Sequence, residues 1–223
     1  MIKERYEDAE EVRKLFQFQR SPDMCWPVSI WNILNEFWKR EMKEIMKRDT
    51  PLNLKEIRRC IYGKGPYGTF QFKNYCEIIN QKISGKGIVL EERIDTPSML
   101  PLEVTPRDMV VDVDLLHQIT KNPDCSFPII TVDNRWFGHF GLKGWDDPDM
   151  THVIIIIDRD RRRDLIHFFD PARKFFERSS KGLEVPKYIN TDQLMSFWET
   201  ENNYPRWISW FRKKDMSLEA WMR

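Results

Sequence analysis

Apolar residues in the first half of the chain recur at three- and four-residue steps, which is the spacing of one face of an α-helix. The longest such pattern predicts a helix over Val28–Lys47, with its first half buried. Shorter patterns predict helices over residues 4–18, over 54–61 behind a capping box formed by Asn53 and Glu56, and over 70–83 behind a cap at Thr69. A further helix is expected over Asp112–Thr120.

The second half of the chain instead contains short runs of β-branched and aromatic residues. The uninterrupted apolar run Thr151–Asp158 predicts a strand in the centre of a sheet. A charged turn follows it, so Leu165–Phe169 is expected to return beside it as a hairpin. Other strands are predicted over Gly87–Ile94, Phe127–Asp133 and Arg206–Phe211, with a loop over Asn134–Met150 and a helix capped by Thr191 near the end.

Together these elements predict an α+β fold in a single domain, 1–223. The helical part, about residues 1–121, is expected to pack on an antiparallel sheet built from residues 122–223. No internal repeat or low-complexity linker divides the 223 residues, which favours one domain over two.

Charge and composition narrow the class of protein. The formal net charge is +1, so no overall field favours nucleic acid or an anionic membrane surface. The first fourteen residues are charged throughout, and no apolar run reaches the length of a membrane span. A soluble cytoplasmic protein without a nucleic-acid or membrane partner is therefore expected.

The four cysteines are expected to be free thiols, because they lack the close spacing of a zinc site and are too few to cross-link a chain of this length. Cys60 and Cys76 fall on predicted core faces, and Cys125 lies in a helix exit loop. Cys25 differs from them, since it lies between a polar loop and the start of the longest helix.

The position of Cys25 suits a nucleophile. The unpaired amides and the positive dipole end of a helix favour a thiolate over a thiol. Pro27 supports a helix start here, because proline is tolerated in the first helical turn. Gln19, six residues earlier, could present its side-chain amide beside the Cys25 amide, and the two together would give two donors for an oxyanion. A buried structural cysteine is the alternative interpretation of the same stretch.

A cysteine nucleophile needs a base, and imidazole has the appropriate acidity. His152 opens the central strand, and Asp170 follows the returning strand of the hairpin. Antiparallel pairing brings the start of one strand to the end of its partner, so we expect the Asp170 carboxylate to orient the His152 ring. His139, in the loop, is a competing base, whereas His117 and His167 are expected to have no catalytic role.

The order of these motifs resembles the papain superfamily of cysteine peptidases, and Pro27 and Ser29 after Cys25 and Trp26 are most similar to its bacteriocin-leader-peptidase-like branch. The resemblance also includes the Asp170, Pro171 and Ala172 triplet after the hairpin. It implies a papain-like fold and a thiol-dependent hydrolase of peptide or isopeptide bonds, acting on a peptide or protein without cofactor or metal. Cys25 would be the nucleophile, His152 the acid and base, Asp170 the orienting residue and Gln19 an oxyanion donor.

Two other functions fit the same residues. The acyl group could pass to an amine instead of water, as in transglutaminase-like relatives. Alternatively, the fold could serve as a binding module with an idle thiol. The presence of all four candidate residues argues against the binding module, because a decayed site would be expected to lack at least one of them.

Overall fold

The computed structural model describes residues 8–42, 49–63, 74–95, 111–133, 135–141, 151–179, 185–198 and 206–214. The helices are α1 (Ala9–Leu15), α2 (Cys25–Phe37), α3 (Leu54–Tyr62), α4 (Tyr75–Lys82), α5 (Val113–Lys121), α6 (Arg135–His139), α7 (Arg173–Ser179) and α8 (Thr191–Trp198). The strands are β1 (Ile88–Asp95), β2 (Ile129–Asp133), β3 (Thr151–Asp160), β4 (Leu165–Phe169), β5 (Tyr188–Ile189) and β6 (Arg206–Lys213).

All strand pairings in the sheet are antiparallel, and the order is β1-β6-β2-β3-β4-β5. The fold is therefore α+β with an antiparallel sheet, as predicted. The sheet is not confined to residues 122–223, however, because β1 comes from the first half of the chain, and the helices are not confined to the first half, because α6, α7 and α8 come from the second. β3 lies in the interior of the sheet, which agrees with its uninterrupted apolar run. β6, the last strand along the chain, is inserted between β1 and β2.

Helices cover both faces of this sheet. On one face α1, α2, α3 and α4 share a hydrophobic core with Val153, Ile155 and Ile157 of β3. On the other face α5, α6 and α8 share a second core with Ile154 and Ile156. The alternation of side chains along β3 sends every second residue into each core. The sequence prediction included a helical layer on the sheet but did not place helices on its opposite face.

The first half of the chain forms helices close to their predicted positions. α2 begins at Cys25, three residues before the predicted start, and continues beyond Phe37 as a π-helical turn over Trp38–Met42. The capping box of Asn53 and Glu56 is present at the start of α3. Thr69 lies outside the described residues. Within the described part of the chain, no helix combines the length and the apolarity needed to cross a bilayer.

Two local predictions were wrong. The predicted loop over Asn134–Met150 contains the short helix α6 at its start, because Trp136 and Phe137 can then both enter the second core. The cap of α8 is Asn190 and not Thr191. Asn190 accepts a hydrogen bond from the Gln193 backbone at 2.8 Å, and its own backbone donates to the Gln193 side chain at 3.1 Å, which is a capping box one residue earlier.

The β3–β4 hairpin contains a β-bulge. Near the turn Asp158 pairs with His167, whereas beyond the bulge Ile156 pairs with Phe168 and Ile155 with Phe169. The register therefore shifts by one residue at Ile157. Side chains alternate between the two faces of a strand. A shift of one residue therefore changes which residues of the two strands lie on the same face of the sheet beyond the bulge.

Candidate active site

Cys25 is the first residue of α2, and a 3₁₀ turn over Pro22–Met24 leads directly into it. Trp26 anchors this helix start, because its ring packs against Trp207 of β6 at 4.6 Å and Tyr75 of α4 at 5.6 Å between centroids. The Cys25 side chain is only partly buried. The thiol therefore combines a fixed backbone with access from solvent, as a nucleophile requires.

His152 and Asp170 form a direct pair. The Nε2 atom of His152 lies 2.8 Å from Oδ1 of Asp170, and both side chains are almost completely buried. Ile155 pairs with Phe169, so the same register extended by one residue places Asp170 opposite Ile154. Ile154 and His152 are on the same face of β3, which makes Asp170 a diagonal neighbour of His152 on that face. The hairpin therefore brings these two predicted residues together.

Asp170 accepts further hydrogen bonds that hold its carboxylate in place. The indole Nε1–H of Trp136 donates to Oδ2 at 3.2 Å, and the backbone N–H of Ala172 donates to Oδ1 at 2.7 Å. Trp136 is itself fully buried between the rings of Phe168 and Phe197. Each carboxylate oxygen thus has a donor with a fixed position, and the carboxylate cannot rotate without breaking a buried hydrogen bond.

The surroundings of His152 favour the protonated imidazole. Burial by itself lowers the pKa of His152, but the charge and hydrogen bond of Asp170 act in the opposite direction, and so do a hydrogen bond with Cys25 and the charge of its thiolate. The combined effect raises the pKa above its ordinary value. Because Nε2 is engaged by Asp170, Nδ1 is the ring nitrogen that remains for Cys25. Phe137 packs on the ring at 4.7 Å between centroids.

Gln19 is buried beside the same group of residues. Its backbone N–H donates to the Pro171 carbonyl at 2.9 Å, which ties the loop before Cys25 to the residue after Asp170. Its side-chain Nε2 donates to the Ser21 carbonyl at 3.0 Å. The side chain therefore braces the loop that leads to Cys25. A role for Gln19 as an oxyanion donor stays a prediction.

Trp136, which contacts Asp170, and Tyr62, which contacts the loop before Cys25, were not predicted from the sequence. The Tyr62 hydroxyl donates to the Asp23 carbonyl at 2.7 Å, two residues before Cys25. Burial raises the pKa of Tyr62, and the nearby charge of Cys25 raises it further. Neither contact had a local signal, because Tyr62 and Trp136 reach the site from helices far along the chain. The only signal for Trp136 was its place in the aromatic-rich sequence 136–140, which was predicted to be part of a loop.

The other histidines and cysteines lie apart from this group. His139 is exposed and packs beside Phe140 and Phe197. Cys60 and Cys125 are buried, and Cys76 is partly buried, with its thiol donating to the Leu90 carbonyl. His117 lies on α5, and His167 lies on β4. Among the described residues, no three His, Cys, Asp or Glu side chains are grouped so that they could hold a metal ion.

The site lies where both helical layers meet the start of β3. Cys25 comes from α2 in the first layer, and Trp136 and Phe137 come from α6 in the second. Comparison with models of known protein families finds no family model that matches the chain, and no curated protein sequence matches it. The papain-like resemblance of the motifs therefore remains a prediction.

Proposed function

We propose that this chain is a papain-like cysteine hydrolase that cleaves a peptide or isopeptide bond. The observation that supports the proposal is the buried pair of His152 and Asp170, with a 2.8 Å hydrogen bond, next to a cysteine at the start of a helix. A nucleophile, a base and a group that orients the base have these relative positions in thiol hydrolases.

The chemical steps follow from these positions. Cys25 attacks the substrate carbonyl as a thiolate, and the imidazolium of His152 gives its proton to the nitrogen of the leaving amine as the C–N bond breaks. The acyl group is then a thioester on Cys25. His152 takes a proton from water, the hydroxyl adds to the thioester carbonyl, and the C–S bond breaks, so that the carboxylic acid forms and Cys25 leaves as the thiolate beside the imidazolium of His152.

Asp170 acts on the ring and not on the substrate. Its carboxylate fixes the tautomer and the orientation of His152, and its charge stabilises the imidazolium that is present before acylation and forms again when the ring takes a proton from water. The Cys25 amide at the start of α2 is the backbone donor for the oxyanion, with Gln19 as the proposed second donor. No cofactor or metal takes part in these steps.

The test is cleavage of a diverse peptide library in water enriched in ¹⁸O, with mass spectrometry of the products. The wild-type chain is expected to produce new C-termini that carry ¹⁸O, and Cys25→Ala is expected to produce none. Products that appear equally with Cys25→Ala, or no products at all, would contradict the proposal. Adding a primary amine distinguishes acyl transfer, because amide products would then replace the ¹⁸O-labelled acids.

A further inference from the structure

A cleft of about 370 Å³ lies beside Asp170, between α1, the end of β4 and the start of α7. Two residues that line the cleft are adjacent in sequence to candidate site residues. Phe169, which lines it, immediately precedes Asp170, and Phe18, which also lines it, immediately precedes Gln19. Asp170 itself contributes to the wall. A bound segment in this cleft would therefore lie beside Asp170, the residue that binds His152.

Aromatic side chains form the apolar part of the cleft. The ring of Phe169 packs against Phe16 at 5.3 Å and against Phe18 at 4.9 Å between centroids, and Phe168 completes this surface. Phe18 is only partly buried, so part of its ring is open to a ligand. Such a surface favours an apolar or aromatic side chain of the bound molecule.

Cationic side chains dominate the rest of the cleft. Five cationic and two acidic residues line it, although the whole chain carries a net charge of only +1. Both acids are already engaged. Glu10 binds Arg13 at 2.6 Å and Lys187 at 3.0 Å, and Asp170 binds His152. The remaining positive charge is therefore available to an anionic ligand.

Two of these cations have no acidic partner among the residues that the structure describes. Lys14 is exposed on α1, and Lys174 is exposed with its ammonium 4.4 Å from the centre of the Phe18 ring. By contrast, Arg13 and Lys187 bind Glu10, and Arg173 binds Glu177 at 2.6 Å. Among the described residues that line the cleft, Lys14 and Lys174 are thus the two cations that can bind a carboxylate without breaking an ion pair with another described residue.

We propose that this cleft binds an acidic segment of the peptide substrate, with carboxylates at Lys14 and Lys174 and an apolar side chain against the exposed part of the Phe18 ring. The inference rests on the proposed function, since it assigns the substrate class of that same site. Acidic residues flanking an apolar residue are its recognition element.

Direct binding tests this without requiring turnover. The full chain carrying Cys25→Ala is titrated into a fluorescein-labelled octapeptide with acidic residues around a phenylalanine, and binding is followed by fluorescence anisotropy. A matched peptide replaces the acids by their amides, and another replaces the phenylalanine by glycine. The acidic aromatic peptide is expected to bind at least about tenfold more tightly than either, because charge and ring contact both contribute.

Variants locate the binding to the cleft. Lys14→Ala with Lys174→Ala is expected to weaken binding of the acidic peptide about tenfold and to leave the amide peptide unaffected. The matched control is Lys55→Ala with Lys82→Ala, which removes the same charge from two exposed lysines outside the cleft. Equal affinity for the three peptides, or equal losses in the two double variants, would overturn the proposal.

Three further outcomes distinguish the cleft assignment from the proposed hydrolase. Displacement of the peptide by inorganic phosphate at comparable concentration would overturn the peptide assignment in favour of a small-anion site. Because the binding protein lacks the Cys25 thiol, binding without any cleavage by the wild-type chain would contradict the proposed hydrolase while leaving an acidic-peptide site. Cleavage without preference for acidic peptides would contradict only the cleft assignment.

Discussion

The indole nitrogen of Trp136 donates a hydrogen bond to Oδ2 of Asp170 at 3.2 Å, on the opposite oxygen from the one that binds His152. Trp136 comes from α6 in the second helical layer, whereas the proposed nucleophile comes from α2 in the first. The orientation of the proposed base therefore depends on a residue that does not reach the substrate. Trp136 is a positioning residue for the proposed reaction.

Trp136→Phe should lower kcat about three- to tenfold with little change in KM, because the carboxylate loses one of its fixed donors. The matched control is Trp198→Phe. Trp198 is equally buried, and its indole donates to the Trp207 carbonyl at 3.3 Å, away from Asp170. Both variants should lose similar stability in chemical denaturation. If both lose activity to the same extent, the effect of Trp136 is only structural.

Limiting iodoacetamide at neutral pH should label Cys25 before the other three cysteines. Burial raises the pKa of the Cys60 thiol and raises that of Cys76 to about 12, and Cys125 is fully buried, so each is a poor nucleophile. Peptide mapping by mass spectrometry measures the order. Preferential labelling at any other cysteine would rule out Cys25 as the activated thiol.

His152→Ala should abolish turnover and slow alkylation of Cys25 near neutral pH, because the thiolate loses its imidazolium partner. His139→Ala serves as the control, since His139 is exposed and packs against Phe140 and Phe197. It should leave both rates nearly unchanged. Turnover and the rate of Cys25 alkylation are measured for both variants. If His139→Ala lowered both rates and His152→Ala did not, His139 would be the base.

Asp170→Asn should depress turnover by roughly tens-fold with modest loss of stability, because the amide keeps the size and part of the hydrogen bonding but loses the charge that stabilises the imidazolium. Asp170→Ala should be worse, since it leaves Trp136 and Ala172 without their acceptor. Turnover and thermal unfolding are measured in parallel. Activity that falls only in step with stability in both variants would make Asp170 a structural cap.

The His152 ring should remain protonated at pH 8. A pH titration of the histidine signals in the NMR spectrum measures this. The pKa of His152 is raised by Asp170 and Cys25 against the effect of burial, whereas burial lowers the pKa of both His117 and His167. In Asp170→Asn the effect of burial is no longer opposed by a carboxylate, so the pKa of His152 should fall. An unchanged titration in that variant would show that the pair does not control the proton.

The same shift links pH to stability. A raised pKa means that the folded chain holds the proton more tightly than the unfolded chain, whose histidine titrates near 6.5. The stabilising contribution is therefore fully present below about pH 6.5 and is lost as the pH rises through the folded pKa. The free energy of unfolding is measured by denaturant titration for the wild type and for His152→Gln. The difference between the two values should become smaller from pH 6 to pH 9.

Features that depend on neighbouring residues were accessible from the sequence. Asn53 and Glu56 form their capping box within one helical turn, and the hairpin that joins His152 to Asp170 needs only a charged turn between two apolar runs. The apolar run of β3 also indicates how many helical layers pack on the sheet. A strand that is apolar at consecutive positions must be covered on both faces, which implies the second helical layer.

Long-range relationships had no such signal. The insertion of β6 between β1 and β2 depends on which strand edges meet, and the apolar pattern of Arg206–Phe211 is the same beside any partner. The contact of Trp136 with Asp170 joins residues that are 34 positions apart. α6 is too short to show helical periodicity, and a glycine lies within it.

The β-bulge at Ile157 determines how this chain can tolerate changes in length. If the pairing of Asp158 with His167 continued without the shift, Asp170 would lie opposite Ile155 and on the other face of the sheet from His152. A residue added within the exposed turn 161–164 leaves the register beyond the bulge intact. A single residue added or removed between His152 and the bulge would instead turn the imidazole away from its carboxylate. Homologous chains should therefore vary in length at the tip of this hairpin and keep the same number of residues between the bulge and the histidine.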